Sequence, residues 1–333
     1  MVLYKDAGVD IDTNRRVKQK IKQLARTTFS PRVLSEIGLF GSLYQLTDYK
    51  KPVLSASCDG VGTKLLIASM MNKHNTVGED LVNHCVNDIL TLGAKPLFFL
   101  DYIAYSKLSP KIIKQVLQGL VRGCRNNNCA LIGGETAQVP GIYKPGEYDL
   151  IGFIVGVVEK EKIIDSKKLI PGDILIGLPS TGLHTNGYSL ARKIFFEVKK
   201  FRATDRIKGL HKNIGDELLK THRSYYPPLY PQLGEIKALA HITGGGFYEN
   251  IKRLLPKNIS CVINKNSWNV PKIFQLIQEY GDIPENEMYR VFNMGIGMVV
   301  FVNNESAPKL LKKLSSSVVI GEVVKGNFGV KIR

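Results

Sequence analysis

Apolar residues in the first half of the chain recur at spacings that predict helices. Between Asn14 and Arg26 they fall three or four positions apart among basic residues, which is the period of an amphipathic helix. Glu79–Leu92 shows the same period and predicts a second helix. A third is predicted from Pro110 to about Arg125, because Ser109 can cap it and proline suits a first helical position.

Continuous apolar runs in the same half predict buried strands. These runs are Val53–Ser57, Leu97–Ala104, the short Ala130–Ile132 and Leu150–Val158. None alternates strictly between apolar and polar residues, as a sheet with one wet face would. We therefore expect both faces of this sheet to be covered, by helices on one side and by a second subunit on the other.

The second half begins after a polar stretch that ends in Pro171-Gly172, which predicts two domains, 1–165 and 166–333. Strands are predicted at Ile174–Leu178, Cys261–Asn264, Gly297–Val302 and Val318–Val324. Helices are predicted at Tyr188–Phe196, Phe247–Leu255, Val270–Tyr280 and Ala307–Leu314. The mixed order of elements indicates an α+β fold in both halves rather than a regular βαβ array.

Composition narrows the class of protein. The 333 residues are 44% hydrophobic and 23% charged, which is typical of a globular chain. No apolar run approaches the roughly 18 residues of a membrane span, and the five cysteines lack the spacing of a zinc site. We expect reduced cysteines, a cytoplasmic location and no membrane partner. The net charge of +17 is spread along the chain without a nucleic-acid-binding motif, so we expect no nucleic-acid partner.

The most informative motif is Asp59-Gly60-Val61-Gly62-Thr63-Lys64, which links a predicted strand to a predicted helix. Its glycines let the backbone approach an anion, Lys64 can contact phosphate and Asp59 can bind a hard cation. The spacing matches neither the P-loop nor the dinucleotide-binding fingerprint. A glycine turn with a capping Asp is the alternative.

Further blocks accompany this motif, and together they resemble the phosphoribosylformylglycinamidine cyclo-ligase family over nearly the whole chain. The blocks are Tyr4–Asp12, Val86–Ile89, Phe98–Tyr102, Gly133–Thr136, Gly182–Leu190, His241–Phe247 and Glu287–Arg290 with Asn293. The resemblance implies an ATP-dependent ligase of purine biosynthesis that closes the imidazole ring of formylglycinamidine ribonucleotide. It also implies ATP and Mg²⁺ as cofactors and a homodimer formed by a mainly antiparallel first-domain sheet, followed by an α/β layered second domain with a mixed sheet.

Four acidic residues are candidates for Mg²⁺. Asp59, Asp88 and Glu135 would offer hard oxygens from three separate elements, as magnesium prefers. Helix capping is the alternative for Asp59 and Asp88, and a solvated loop acid is the alternative for Glu135. Asp101 interrupts an apolar strand, so it is either a further ligand or a buried acid paired with a basic neighbour.

Phosphate and nucleotide contacts are expected from glycine turns and nearby cations. Lys64 is the candidate for the γ-phosphate, and Lys22 on the first helix is a second nucleotide contact. The loop Ser180–Gly187 can hold the ribose phosphate or part of the nucleotide. Its His184 is either a general base or a hydrogen-bonded structural residue. The remaining candidates for ATP or phosphate are Gly60, Gly62, Thr63, Gly133, Gly134, Asn186, Gly244 and Gly245.

The chain departs from the family pattern at a few positions. His222 precedes Arg223 where the family commonly has Thr, and Met294 stands where Cys is frequent. Related synthetases place Asp at the position of His241, so no magnesium ligand is expected there. The alternative function is a sibling ATP-using synthetase, such as formylglycinamidine ribonucleotide synthetase or a selenophosphate synthetase-like enzyme.

Overall fold

A computed structural model describes residues 11–333, with side chains from residue 19 onward. Most of the Tyr4–Asp12 block therefore lies outside the described residues. The chain divides into two compact units. The first contains the chain through Ile89 together with Lys95–Lys160, and the second contains Leu90–Ala94 and Glu161–Arg333. This division falls five residues before the predicted boundary at 165/166.

The first unit contains four helices and four strands among its described residues. In chain order these are α1 (Ile11–Arg26), β1 (Pro52–Gly60), α2 (Lys64–Met70), α3 (Val77–Leu90), β2 (Lys95–Tyr105), α4 (Pro110–Asn126), β3 (Ala130–Gln138) and β4 (Tyr148–Glu159). The predicted cap of α4 is confirmed, because the Ser109 side chain accepts the Lys111 N–H at 3.3 Å.

The strands form one sheet in the order β1-β4-β2-β3. The β1–β4 and β4–β2 pairs are antiparallel and β2–β3 is parallel, so the predicted mainly antiparallel sheet is confirmed. Two predicted boundaries are wrong. Gly133-Gly134-Glu135 lies inside β3 rather than after a short strand, and Asp59-Gly60 ends β1 rather than opening a turn. Backbone pairing with neighbouring strands overrides the turn preference of glycine at both places.

Burial alternates along the strands, so helices of the chain cover one face as predicted, and cover of the other face by a second subunit stays a prediction. Phe99 and Ile103 are fully buried on the side of α3 and α4, whereas Leu54 is 63% exposed and Phe153 43% exposed. Successive side chains of a strand point to opposite faces, so α3 and α4 cover one face only. The other face is apolar and exposed around Leu54 and Phe153, and residues of α1 and segment 37–42 cover it in part.

The second unit carries six strands and seven α-helices among its described residues. They are β5 (Ile174–Pro179), α5 (Tyr188–Arg192), α6 (Ile214–Leu218), α7 (Tyr226–Leu229), β6 (Ala238–His241), α8 (Gly246–Lys252), β7 (Ile259–Ile263), α9 (Lys272–Gly281), α10 (Glu285–Val291), β8 (Ile296–Val302), α11 (Ala307–Lys313), β9 (Val318–Lys325) and β10 (Gly329–Ile332). The helix predicted over Tyr188–Phe196 is split, because α5 continues as a π-helical turn over Lys193–Val198.

These strands form a mixed sheet in the order β10-β7-β9-β5-β8-β6. Only β10–β7 is parallel among the strand pairs described here. Every residue of β8 is buried, which agrees with its unbroken apolar sequence. The predicted mixed sheet is confirmed. The short strands β6 and β10 are not predicted from the sequence, because four residues are too few to show a period.

The state of the cysteines and the character of the helices are two further features of the described chain. The five cysteines are free thiols, and all except Cys58 are buried. In the part of the chain that the structure describes, no helix combines the length and the apolar character needed to cross a bilayer.

Candidate active site

Asp59 lies at the end of β1, where the chain turns toward α2. One of its carboxylate oxygens, Oδ1, accepts the N–H of Gly60 at 2.7 Å. The turn that follows is anchored by the Val61 N–H, which donates to the Leu150 carbonyl at 3.1 Å. Gly62 has φ of +65° with open space around its Cα, so a left-handed turn here favours glycine. The predicted glycine turn therefore exists, but it begins one residue after Gly60.

His84 on α3 joins Asp59 and Asp88 into one cluster. Its Nε2 lies 2.9 Å from Asp59 Oδ2 and 3.9 Å from Asp88 Oδ2. Asp88 Oδ2 also accepts the Ser57 hydroxyl at 3.2 Å. Sequence reasoning placed His84 and Asp88 on one helical face but assigned no role to His84. The i, i+4 spacing with Asp88 was the signal that could have found it.

The charges of this cluster stabilise one another. Burial raises the pKa of Asp59, but the hydrogen bond and charge of His84 outweigh it, so the pKa is lowered. Burial lowers the pKa of His84, yet Asp59 and Asp88 outweigh it, so that pKa is raised. His84 therefore holds a proton more readily than a free histidine, because it lies beside two carboxylates.

Asp101 lies in the same transverse row of the sheet as Asp59. Asp59 pairs with Gly152 of β4, Gly152 pairs with Asp101 of β2, and Asp101 pairs with Gly134 of β3. Directly paired residues share a face, and strands lie about 4.8 Å apart, so Asp59 and Asp101 are on one face about 10 Å apart. This is the separation of their backbones, and it sets Asp101 two strands away from Asp59.

The Glu135 side chain lies on the opposite face of the sheet from the Asp101 side chain. Glu135 follows Gly134, the residue of β3 that pairs with Asp101, and successive side chains of a strand alternate between the faces. Glu135 is exposed there, whereas Asp101 is buried. The structure therefore brings Asp59 and Asp88 together, sets Asp101 two strands away on the face of Asp59 and places Glu135 on the opposite face.

The Asp59–Asp88 pair fits Mg²⁺ better than the full set of four acids. The two carboxylates converge near the His84 ring, and their side chains are 41% and 29% exposed. Hard carboxylate oxygens that remain reachable from solvent suit an ion that keeps several waters and bridges to phosphate.

Asp101 is close to titration at neutral pH. Burial is the main cause and raises its pKa from the ordinary 3.8 to about 7, helped by the charge of Glu135. Gly134 permits this arrangement, since a Cβ there would lie 2.3 Å from the Asp101 carbonyl oxygen. Because the folded state holds the proton to higher pH, Asp101 contributes stability at low pH that is lost as pH rises from about 4 to about 7.

Asp101→Asn should therefore stabilise the metal-free protein more at high pH than at low pH. Between pH 5 and pH 8 its advantage over the unaltered chain should grow by about 3 kcal/mol, since one pKa unit corresponds to about 1.4 kcal/mol. Urea unfolding in buffer with a chelator measures this. An advantage that is the same at both pH values would contradict a raised Asp101 pKa.

Lys64 is placed differently from the prediction. Its side chain is completely buried, and Nζ lies 2.9 Å from Asp80 Oδ2 on α3. Burial lowers the pKa of Lys64, although Asp80 opposes that change. Lys64 therefore points into the unit beneath the turn, and Asp80 takes one of the three N–H donors of its ammonium group.

A cavity of about 810 Å³ opens on the sheet face away from α3 and α4. Its walls are mostly apolar or aromatic, Lys22, Asp101 and Glu135 are its ionisable residues, and Gly133 and Gly134 also line it. Lys22 lies against Gly38, where a Cβ would fall 2.5 Å from Nζ. An apolar cavity with few polar groups is the usual form of a small-molecule site. Segment 37–42, which sequence reasoning did not consider, supplies one wall.

Two glycine-containing loops meet in the second unit. Ser180 donates to Asn293 Oδ1 at 2.9 Å, and Asn293 Nδ2 donates to the Gly182 carbonyl at 2.9 Å, which fixes the first loop. The second loop passes close by, since a Cβ on Gly244 would lie 3.2 Å from Asn186 Oδ1. The structure thus brings Asn186 and Gly244 together, as a shared anion site requires.

The second loop is held by Asn250, which sequence reasoning missed. Its Nδ2 donates to the carbonyls of Thr243, Gly244 and Gly246 at 3.3, 3.1 and 2.8 Å. Gly245 has φ of +88°, and Gly246 approaches the Tyr289 carbonyl so closely that a Cβ would fall 2.1 Å away. Glycine is therefore required by both backbone conformation and space.

His184 is held as a hydrogen-bond acceptor. Its Nε2 accepts the backbone N–H groups of Thr181 at 3.2 Å and Arg223 at 3.4 Å. An Nε2 that accepts two N–H groups carries no proton, so the neutral ring is protonated at Nδ1. This contact corresponds to the structural alternative for His184, and action as a base at Nε2 would require both bonds to open.

Comparison with known proteins defines the class of this chain. Residues 44–158 match the N-terminal domain, and residues 171–333 the C-terminal domain, of proteins described as AIR synthase related. The fold is shared with thiamine-monophosphate kinase from Stenotrophomonas maltophilia K279a, with TM-score 0.67, 14% identity and coverage of 97% of this chain and 96% of that one. The hydrogenase maturation protein HypE in complex with ATP gives TM-score 0.65 and 15% identity, covering 94% and 86%.

Closer relatives identify the family. A phosphoribosylformylglycinamidine cyclo-ligase from Thermoanaerobacter sp. (strain X514) is 54% identical and covers 98% of this chain and 99% of the relative. The enzyme of that name from Syntrophotalea carbinolica is 52% identical, covering 97% and 94%. The chain belongs to the phosphoribosylformylglycinamidine cyclo-ligase family.

Proposed function

We propose that this chain catalyses the ATP-dependent closure of formylglycinamidine ribonucleotide to aminoimidazole ribonucleotide in de novo purine biosynthesis. The observation that carries the proposal is identity of 54% to a cyclo-ligase over essentially the full length of both chains. A likeness of fold alone would not distinguish this reaction from those of the kinase and the maturation protein, because one fold can host many functions. A cytoplasmic location remains a prediction.

The reaction requires activation of a poor leaving group. Transfer of the γ-phosphoryl group of ATP to the formamide oxygen makes the formyl carbon electrophilic. The amidine nitrogen then attacks that carbon, the ring closes, and the C–O bond breaks to release phosphate, with ADP as the other product. No covalent enzyme intermediate is needed, so the protein acts through positioning and electrostatic stabilisation.

The first unit is proposed to bind ATP. The 810 Å³ cavity with Lys22 and the backbone of Gly133–Gly134 suits a nucleotide, and the turn from Gly60 to Thr63 can face phosphate oxygens. Asp88 lies on α3 with Asp59 beside it, and neither lines this cavity. The two acids would hold Mg²⁺ near the turn from Gly60 to Thr63, and the ion would neutralise phosphate charge when bound. Glu135 and Asp101 would then act near the nucleotide rather than on the same ion as Asp59. Lys64 remains a candidate phosphoryl contact, subject to its pairing with Asp80.

The second unit is proposed to bind the ribose phosphate end of the substrate. Loop 180–187 and the turn Gly244–Gly246 support an anion through backbone N–H groups and the Asn186 side chain. Arg223 lies beside them, with its N–H on His184 Nε2. His184 remains a candidate base for the amidine proton, provided that Nε2 is released from its two backbone donors.

An assay with formylglycinamidine ribonucleotide and ATP tests the proposal directly. We expect ADP to form only in the presence of this substrate, in equal amount to an aminoimidazole product. ATP turnover with the formyl precursor and glutamine, or with selenide, would instead support a sibling synthetase. ADP formation at the same rate with and without the formamidine substrate would contradict the proposal.

We also propose that the chain forms a homodimer through the apolar, partly exposed face of the first sheet. That face presents Leu54 and Phe153 at 63% and 43% exposure, on neighbouring strands. Contiguous exposed apolar surface of this kind is typical of an interface. The cavity opens on the same face, so a second copy would also lie near the proposed nucleotide.

Leu54→Glu should convert a dimer to a monomer, because a charge would be buried at the interface. Light scattering should give twice the 37.1 kDa chain mass for the unaltered protein and 37.1 kDa for the variant. Ile170→Glu is the matched control, since Ile170 is 57% exposed but lies in the second unit. An unaltered chain that is fully active at 37.1 kDa would exclude the dimer.

A further inference from the structure

Three buried histidines gather in the second unit. They come from different segments: His184 from the loop after β5, His222 from the segment before α7, and His241 from the end of β6. Their exposed fractions are 1%, 1% and 5%. One ring nitrogen of each lies within 4.8 Å of the corresponding nitrogens of the other two. Three separate backbone segments therefore deliver imidazole nitrogens to one point.

The spacing of the two central nitrogens suits a shared metal ion. His222 Nε2 and His241 Nε2 face each other at 3.1 Å. Two nitrogens bound to Zn²⁺ at about 2.0 to 2.1 Å in a tetrahedral site are about 3.3 Å apart. Only a few tenths of an ångström separate the observed contact from that geometry. A proton shared by two imidazoles occupies the same place that a divalent cation would take.

The ring protons of His222 and His241 can be arranged so that both Nε2 atoms can bind a metal ion. An Nε2···Nε2 hydrogen bond needs one protonated Nε2, and a metal needs both unprotonated. When His222 carries its proton on Nδ1 instead, that N–H can donate to Thr185 Oγ1, which lies 3.4 Å away. Metal-bound histidines usually direct their other N–H to such a partner. Thr185 thus provides the outer contact that fixes the ligating form of His222.

His184 can complete a three-nitrogen set when its Nε2 leaves the two backbone N–H groups that it accepts in the metal-free chain. Its ring stacks on His222 with centroids 4.0 Å apart and planes inclined by 19°. From the 4.8 Å limit, its ligating nitrogen would move inward by at most about 1.5 Å to reach tetrahedral spacing. A fourth position would remain for water or an anion, as in other sites with three protein ligands.

We propose that His222, His241 and His184 form a binding site for a borderline transition-metal ion such as Zn²⁺ or Co²⁺. Imidazole donors favour these ions over Mg²⁺, which prefers oxygen ligands. His184 is also the candidate base of the proposed reaction, but metal binding by these histidines can be measured without the ring-closing reaction. His222 and His241 are the essential ligands, and His184 is the third.

Titration of the full-length, metal-free protein tests the site. Calorimetry with Zn²⁺ should give one tight equivalent per chain, and Co²⁺ should produce the intense visible bands of a four-coordinate nitrogen site. His222→Gln should weaken this binding by more than about 100-fold. Thr185→Val should weaken it by about 10- to 100-fold, the usual effect of losing an outer-shell partner.

Controls separate this site from other ligands in the chain. His211→Gln removes an exposed histidine and Cys58→Ser removes the exposed thiol, and neither should change the tight equivalent. Circular dichroism checks that each variant is folded. If His222→Gln does not fold, the Co²⁺ spectrum of the unaltered chain and the metal affinity of Thr185→Val still test the proposal. Absence of a tight equivalent, a six-coordinate Co²⁺ spectrum, or His222→Gln binding like the unaltered chain would overturn the proposal.

Discussion

Replacement of Asp59 by Asn should abolish ring closure while leaving the fold intact. The expected loss in kcat/KM is at least about 100-fold, because one charged Mg²⁺ ligand is removed at the point where phosphate charge must be neutralised. Asp59 is 41% exposed and Asn can still accept the Gly60 N–H, so unfolding by urea should change little. Steady-state assays at several Mg²⁺ concentrations measure the effect.

Asp149→Asn is the matched control for this experiment. Asp149 also lies in the first sheet and also accepts the N–H of the next residue, Leu150, at 2.8 Å. It differs in having no part in the His84–Asp88 cluster. Near-normal activity of Asp59→Asn at saturating Mg²⁺, or an equal loss in both variants, would remove Asp59 from the metal site.

Replacement of Lys64 by Met should lower the free energy of unfolding by about 3 to 5 kcal/mol. The change leaves the buried Asp80 carboxylate without the ammonium that lies 2.9 Å away, and loss of one partner of a buried pair has a cost of this size. Chemical denaturation measures it. Lys114→Met, at an exposed position on α4 in the same unit, should lie within about 0.5 kcal/mol of the unaltered protein, as surface changes usually do.

The double variant Lys64→Met with Asp80→Leu separates stability from catalysis. Apolar residues of similar volume can replace a buried ion pair with little loss of stability, so most of the unfolding free energy should return. A lowered kcat with unchanged KM in this folded protein is the expected result of a phosphoryl contact by Lys64. Full activity would show that Lys64 serves the fold alone. A double variant no more stable than Lys64→Met would contradict the pairing with Asp80.

Much of the first sheet could be predicted because its signal is local. The helices α3 and α4 and the strands β2 and β4 lie within a few residues of their predicted bounds, since apolar period and the Ser109 cap are properties of neighbouring residues. The family followed from blocks of residues in order, and the comparisons support it over the full chain. Glycine turns were misplaced at Gly60 and Gly133, where pairing between strands decides the conformation.

The candidate site shows the limit of sequence reasoning more sharply. Asp59 and Asp88 could be paired from the sequence, because Asp88 follows a helical period and Asp59 ends a strand. The separation of Glu135 could not, because it depends on which strands are neighbours and on the face set by strand register. Lys64 reads as a phosphate ligand in the sequence, and its partner Asp80 lies sixteen residues away on another helix.

The sequence by itself determined the family, the alternation of helices and strands, and the residue types available for an ATP-dependent ring closure. These follow from local periodicity and from motifs whose meaning does not require a fold. The tertiary structure decided which acids converge, that Lys64 is buried against Asp80, that one sheet face stays partly exposed, and that three histidines meet. Each of these depends on contacts between residues distant in the chain, whose geometry is set by strand order, register and helix packing rather than by local composition.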